Sequence, residues 1–197
     1  MDFVSQWKGI NGYMIRDPGL FFSEYDERHG VGYPLAFMLL SFVVVMLPLA
    51  LLSTVANIST PGEAAIGLAA FLLLGVLFWV LALVEALIAH GIASLLGADG
   101  VATTLEAYAF PTIVRYGLWW VPVVNIGLGI YGLYLQIKGI AEFHDISTGR
   151  AAVAAVVALF LASPSIIVLV AILAAFVLDL GSTAGTQPAI VVVESLG

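Results

Sequence analysis

The chain has no cysteine. That excludes disulfides, thiolate metal sites and cysteine nucleophiles, and it leaves the redox compartment open. Charge is also scarce. Asp, Glu, Lys and Arg make up 10% of the residues, against about 25% in an ordinary soluble domain. So few charged groups cannot cover a water-facing surface. Basic residues are the rarest, with 6 Lys and Arg against 13 Asp and Glu and a formal net charge of −7. Nucleic acid needs a basic footprint and is excluded as a partner. There is no HExxH, no P-loop and no nucleophile elbow, so the chain is expected to be non-enzymatic, without cofactor or metal.

What is abundant is apolar: 62% of the residues are hydrophobic, and the mean hydropathy is +1.12. The fold class expected is all-α, a polytopic integral membrane protein. No signal peptide precedes the first apolar run, which is too long for one, so no cleavage is expected. Five apolar segments approach or exceed the roughly 20 residues that cross the hydrocarbon. They are Tyr33–Ala56, Ala64–Leu96, two within Leu105–Ala141, and Ala151–Leu178. As one helix, Leu105–Ala141 would be about 55 Å long, so a break is expected at Pro122 and Asn125. The basic residues favour the same count. With five crossings Lys8, Arg16, Arg28, Lys138 and Arg150 share one side, which the positive-inside rule makes cytoplasmic. The N-terminus is then cytoplasmic and the C-terminus outside. The expected organisation is a cytoplasmic interfacial segment over 1–32, a five-helix membrane domain over 33–178 and a flexible tail over 179–197.

Phe3, Trp7, Ile10 and Met14 fall on one face of a helix. Asp17 before Pro18 reads as an N-cap with proline at the first helical position, and Phe21 and Phe22 follow. The pattern suits two short amphipathic helices whose aromatics anchor at lipid headgroups. It also suits a cap that closes the bundle from below. In the last segment Ala151, Ala155, Ala158 and Ala162 form a small-residue stripe, and Pro164 is expected to kink the helix.

Two features invite chemistry. "GLGIYG", Gly127–Gly132, matches a dinucleotide fingerprint by letter but lies inside a spanning helix with no strand before it. Asn125, Gly129, Gly132 and Gln136 instead share one face, a small and polar stripe suited to helix packing. Arg115 lies roughly 15 Å deep in the third segment, where an unpaired charge is costly. Glu85 matches its depth on the second segment and is the expected counter-ion. His90 lies about 140° around the helix from Glu85, which makes it a poor relay partner. Glu142, His144 and Asp145 in "EFHDIS" would need further ligands, such as His90 or Glu106, to hold a metal. They read as a polar helix end.

From Leu96 onward, "LLGADGVATTLEAYAFPTI" and "GLYLQIKGIAEFHDISTGRA", with "RDPGLFF" upstream, give the chain a pattern that resembles the Yip family of Ypt/Rab-interacting, five-helix membrane proteins. Tyr108, Pro111, Gly139 and His144 are its signature positions here. The resemblance implies membrane scaffolding without enzymatic activity. Eukaryotic members carry a long cytoplasmic arm where this sequence shows about 32 residues, so the compact prokaryotic type is the expected match, and no GTPase partner is implied.

The expected function is therefore a scaffold or adaptor in the cell membrane, if the source is prokaryotic. It would contact membrane lipid and membrane-associated proteins at the cytoplasmic face, and small-residue helix faces would support a homo-oligomer. The alternative is a small transporter or channel with a polar cavity around Glu85 and Arg115.

Overall fold

Two long apolar helices run against each other in a computed structural model that describes residues 2–163. They are the third and fourth of eight among the described residues. The order is α1 (Phe3–Arg16), α2 (Pro18–Glu24), α3 (Gly32–Ala56), α4 (Pro61–Leu95), α5 (Val101–Ala109), α6 (Thr112–Tyr116), α7 (Pro122–His144) and α8 (Thr148–Ser163). Among these residues the structure is all-helical, and α3, α4 and α7 are long and apolar enough to cross a membrane.

The α3–α4 hairpin is antiparallel. The Trp79 indole donates to the Leu35 carbonyl at 3.1 Å. Further along, a Cβ on Gly75 would lie 3.1 Å from Met46 Cγ. The turn from α4 into α5 needs glycine twice, because Gly97 (φ 103°) and Gly100 (φ 84°) adopt left-handed backbone. Residues Thr104–Ala109 of α5 are buried on all sides, so the other helices pack around this one.

The third expected crossing is not one helix. α5 stops at Ala109, and Pro111 separates it from the five-residue α6. A proline there lacks the N–H and its ring crowds the carbonyl one turn back, so the helix breaks. Neither piece alone spans a bilayer. The expected break at Pro122 is present, with Pro122 opening α7. α8 buries Ala151, Ala155, Ala158 and Ala162 and exposes Val153, Phe160 and Leu161. The expected kink at Pro164, the rest of the fifth segment and the tail lie outside the described residues.

At the N-terminus the caps are as read. The Asp2 side chain accepts from the Ser5 amide at 3.0 Å, and Asp17 accepts from the Leu20 amide at 3.0 Å. The aromatic face, however, is not left for lipid headgroups. Trp7, Ile10, Met14, Phe21 and Phe22 are buried in the bundle. Trp7 Nε1 donates to Ser41 Oγ on α3 at 3.0 Å. Phe21 meets Phe110 at 5.6 Å between ring centres, and Phe22 meets Phe143 at 5.4 Å. Phe3, half-buried, packs edge-on against Tyr33. The interfacial-anchor assignment is thus corrected, because these six side chains spend their apolar surface on protein.

The seat for Phe22 depends on glycine. A Cβ on Gly139 would fall 2.7 Å from Phe22 Cε1 and 3.0 Å from Ala107 Cβ. Gly139→Ala should therefore lower stability in detergent by about 1–3 kcal/mol through overpacking. A Cβ on Gly127 would meet no described residue within 4 Å, so that position should tolerate alanine without loss. Equal melting temperatures for the two variants would refute the seat.

Candidate functional site

Among the described residues, two centres with buried charged side chains interrupt the apolar interior. The first lies where α4, α6 and α7 meet. Pro111 ends α5, and the short α6 then carries Arg115 into the bundle, 7% exposed, opposite Glu85 on α4 at 4%. Arg115 Nη1 donates to Glu85 Oε1 at 2.9 Å, and Nη2 donates to Glu85 Oε2 at 3.2 Å. Nη1 also donates to Gln136 Oε1 on α7 at 2.6 Å. A bidentate, charge-assisted pair is the strongest arrangement open to these groups.

The neighbouring glycine makes this approach fit. A Cβ on Gly132 would lie 2.4 Å from Arg115 Cβ and 3.0 Å from its Cα. Only a residue without a side chain lets the arginine stem lie against α7 with Gln136 one turn further on. The stripe read from the sequence thus splits in two. Gly132 and Gln136 are buried and seat Arg115. A Cβ on Gly129 would meet no described residue within 4 Å, and Asn125 is only half-buried.

The second centre surrounds the start of α5. Thr104 and Glu106 are both fully buried. The chain has 3 histidines, and all of them converge here. His90 Nδ1 on α4 lies 3.0 Å from Thr104 Oγ1. His144 Nε2 on α7 lies 2.9 Å from the same oxygen. From the segment before α3, the His29 backbone N–H donates to Glu106 Oε1 at 2.9 Å, and its ring Nδ1 lies 3.0 Å from that oxygen. The His29 ring stacks on Tyr33 at 3.8 Å. Nearby, burial first and then Tyr33 and Glu106 push the Tyr25 phenol well above its ordinary value.

A family description, the Yip1 domain, matches residues 12–172. The chain belongs to the Yip1-domain family. No curated protein and no solved structure matches it significantly.

Each signature position of this Yip1-domain protein has a place in the geometry. Tyr108 is buried on α5 one turn after Thr104. Pro111 makes the break that starts α6. Gly139 seats Phe22, and His144 holds Thr104. Glu142 and Asp145 are exposed, and Asp145 closes α7 in left-handed backbone at φ 51°. Among the described residues no group of three or more His, Asp or Glu is arranged to hold a metal ion.

The sequence alone did not reveal the Thr104 and Glu106 centre. Its partners are 14, 40 and 77 residues apart, so no local spacing announces them. A usable signal was present nonetheless. Threonine and glutamate within one turn of an apolar helix need partners, and histidines at helix ends can supply them.

The charge pair neutralises two buried groups and leaves neither carboxylate oxygen free. Glu85→Gln and Arg115→Gln should each destabilise the protein by about 3–5 kcal/mol, because each strands the other charge. The double variant should lose markedly less than the sum of the two. Strict additivity in a detergent unfolding cycle would show that the two groups do not act as a pair.

Proposed function

We propose that this Yip1-domain membrane protein is a non-enzymatic scaffold or adaptor that meets protein partners, and membrane lipid, at its cytoplasmic face. In this reading the chain crosses the membrane five times, through α3, α4, the α5–α6 unit, α7 and the segment that begins with α8. Lys8, Arg16, Arg28, Lys138 and Arg150 then share the cytoplasmic side.

The observation that carries the proposal is the mutual engagement of the two deep charged groups, Glu85 and Arg115. Both Glu85 oxygens are taken by the Arg115 guanidinium, and Gln136 fills a further donor. A transport path needs groups that exchange partners, whereas this arrangement behaves as glue between three helices. Apart from Glu63 at the start of α4, the exposed charged groups among the described residues gather instead at the end bearing α1 and α2. Asp26, Glu27, Glu142 and Asp145 are exposed there, beside the exposed apolar side chains Val4, Ile15 and Leu20. Mixed apolar and acidic surface of this kind suits protein contacts. The same scaffold role would accommodate a homo-oligomer.

Reporter fusions at Met1 and Gly197 should report opposite compartments, since five crossings separate the termini. A shared compartment would remove the cytoplasmic docking face from the proposal. Ile15→Asp with Leu20→Asp, both at exposed positions, should keep the wild-type melting temperature. It should also lose the membrane proteins that the wild type recovers after mild crosslinking. Undiminished recovery by that folded variant would count against this face.

A further inference from the structure

Given the five crossings proposed above, on which this depends, we propose that the protein thins the bilayer on one flank. The far polar layer of the membrane, opposite α1 and α2, dips to meet the tip of the α6–α7 pair and stays high around α3 and α4. The cause is a difference in length between the two helix pairs.

α4 and α7 run in the same direction and share two levels. Arg115 joins Glu85 to Gln136 at 2.9 and 2.6 Å, and Thr104 joins His90 to His144 at 3.0 and 2.9 Å. From Glu85 to its far end at Pro61, α4 rises about 36 Å. From Gln136 to its far end at Pro122, α7 rises only about 21 Å. The ring contacts agree. Trp119, just before the short tip, meets Phe78 at 5.2 Å, and Tyr116 meets Phe42 at 5.0 Å. Both phenylalanines lie well short of the far ends of their helices. The α3–α4 pair continues past them, since a Cβ on Gly67 would run into Ser53 Oγ. Its tip therefore stands about 15 Å beyond that of α6–α7, half of a hydrocarbon core about 30 Å thick.

The two tips ask for different surroundings. Leu51, Leu52, Val55 and Ile66 near the tall tip are exposed and apolar, and they need hydrocarbon. Only at its very end do Asn57, Thr60 and Glu63 bring polar groups. The short tip needs polar contact at once. Residues 117–121 leave the helix, and α7 begins without a side-chain cap. The Val123 and Val124 N–H groups have no partner among the described residues, and Val123 is 82% exposed. Irregular backbone that faces lipid does not occur within hydrocarbon. Trp120 is exposed at the same tip, and tryptophan gathers at the headgroup level.

A flat bilayer square to the helices cannot meet both demands. Set at the tall tip, its far surface leaves the uncapped start of α7 in hydrocarbon. Set at the short tip, it leaves the apolar far halves of α3 and α4 in water. Tilting the protein would pull the near end of α7, with exposed Glu142 and Asp145, toward hydrocarbon, where charge is costly. Thinning beside the short pair meets every demand, and bilayers yield to such mismatch at modest cost. Lipids with short acyl chains fit this flank best.

The absence of cysteine makes the test direct. Single nitroxides are placed on the full chain in dioleoyl phosphatidylcholine vesicles, and their access to oxygen and to a nickel chelate is compared. The sites are Val123→Cys, Ile126→Cys, Ile130→Cys and Tyr134→Cys on α7, and Ile66→Cys, Leu73→Cys, Val80→Cys and Leu87→Cys on α4, all exposed. Val123 should be open to the chelate, whereas Leu73, at about the same level, should be closed to it. The oxygen-rich stretch should be shorter on α7 than on α4. Stretches of equal length, merely displaced along the two helices, would show tilt and overturn the proposal. So would chelate access at both Val123 and Leu73, which means a flat surface at the short tip. A closed Val123 would overturn it as well, and would lower the crossings from five to three. That number is still odd, so the termini would stay on opposite faces and the docking face would stand or fall by its own tests.

Discussion

A guanidinium inside an apolar bundle has to be answered by protein, because neither lipid nor packed side chains can solvate it. Arg115 sets this constraint, and Glu85 and Gln136 meet it. A buried ion pair is weak evidence for net stability, since its desolvation offsets most of the attraction. Its importance lies in the alternatives it removes. If α4 slides by one turn along α6, two charges lose their partners, at a cost of about 3–5 kcal/mol, and a slide of α7 takes the Gln136 oxygen from the guanidinium. The purely apolar contacts between these helices carry no comparable penalty for slippage. Gly132 belongs to the same constraint, since any side chain there would occupy the space of the arginine stem.

α5 shows what such a bundle permits once a segment is enclosed. Thr104, Glu106 and Tyr108 would be poor residues for a lipid-facing helix, yet all three are buried and surrounded by protein. Backbone irregularity at membrane depth is tolerated in just such places, which accounts for the break at Pro111. Phe110, directly before that break, packs against Phe21, Tyr25 and Phe37 at 5.6, 5.1 and 5.1 Å between ring centres. The break thus coincides with an aromatic knot that joins α2, the following segment and α3 to α5. The N-terminal segment is therefore part of the core.

The differences in what the sequence revealed have physical causes. α3, α4 and α7 were legible because a lipid-facing helix must be apolar over its whole length, and that leaves a continuous run. The Glu85–Arg115 pairing was legible because two opposite charges in otherwise apolar helices have few other partners. The destination of Trp7, Ile10, Met14, Phe21 and Phe22 was not legible. An amphipathic face records that it needs apolar surroundings but not whether lipid or protein supplies them. Pro111 was overlooked as a break because it sits in an apolar run that composition alone reads as continuous. The convergence of His29, His90 and His144 on α5 depends on tertiary packing, which no window along the chain can report.

The two polar centres differ in where they hold the bundle. The guanidinium of Arg115 stays charged at any physiological pH, so the contact among α4, α6 and α7 is fixed under all conditions in which the protein works. The imidazoles around Thr104 sit instead where α4 and α7 end, and they join those ends to α5. The two centres are close, because Thr104 and Arg115 lie only about three turns apart along the α5–α6 unit. Each helix that packs on this unit is therefore held to it by a polar contact as well as by apolar surface, and such contacts fix register where apolar packing alone does not.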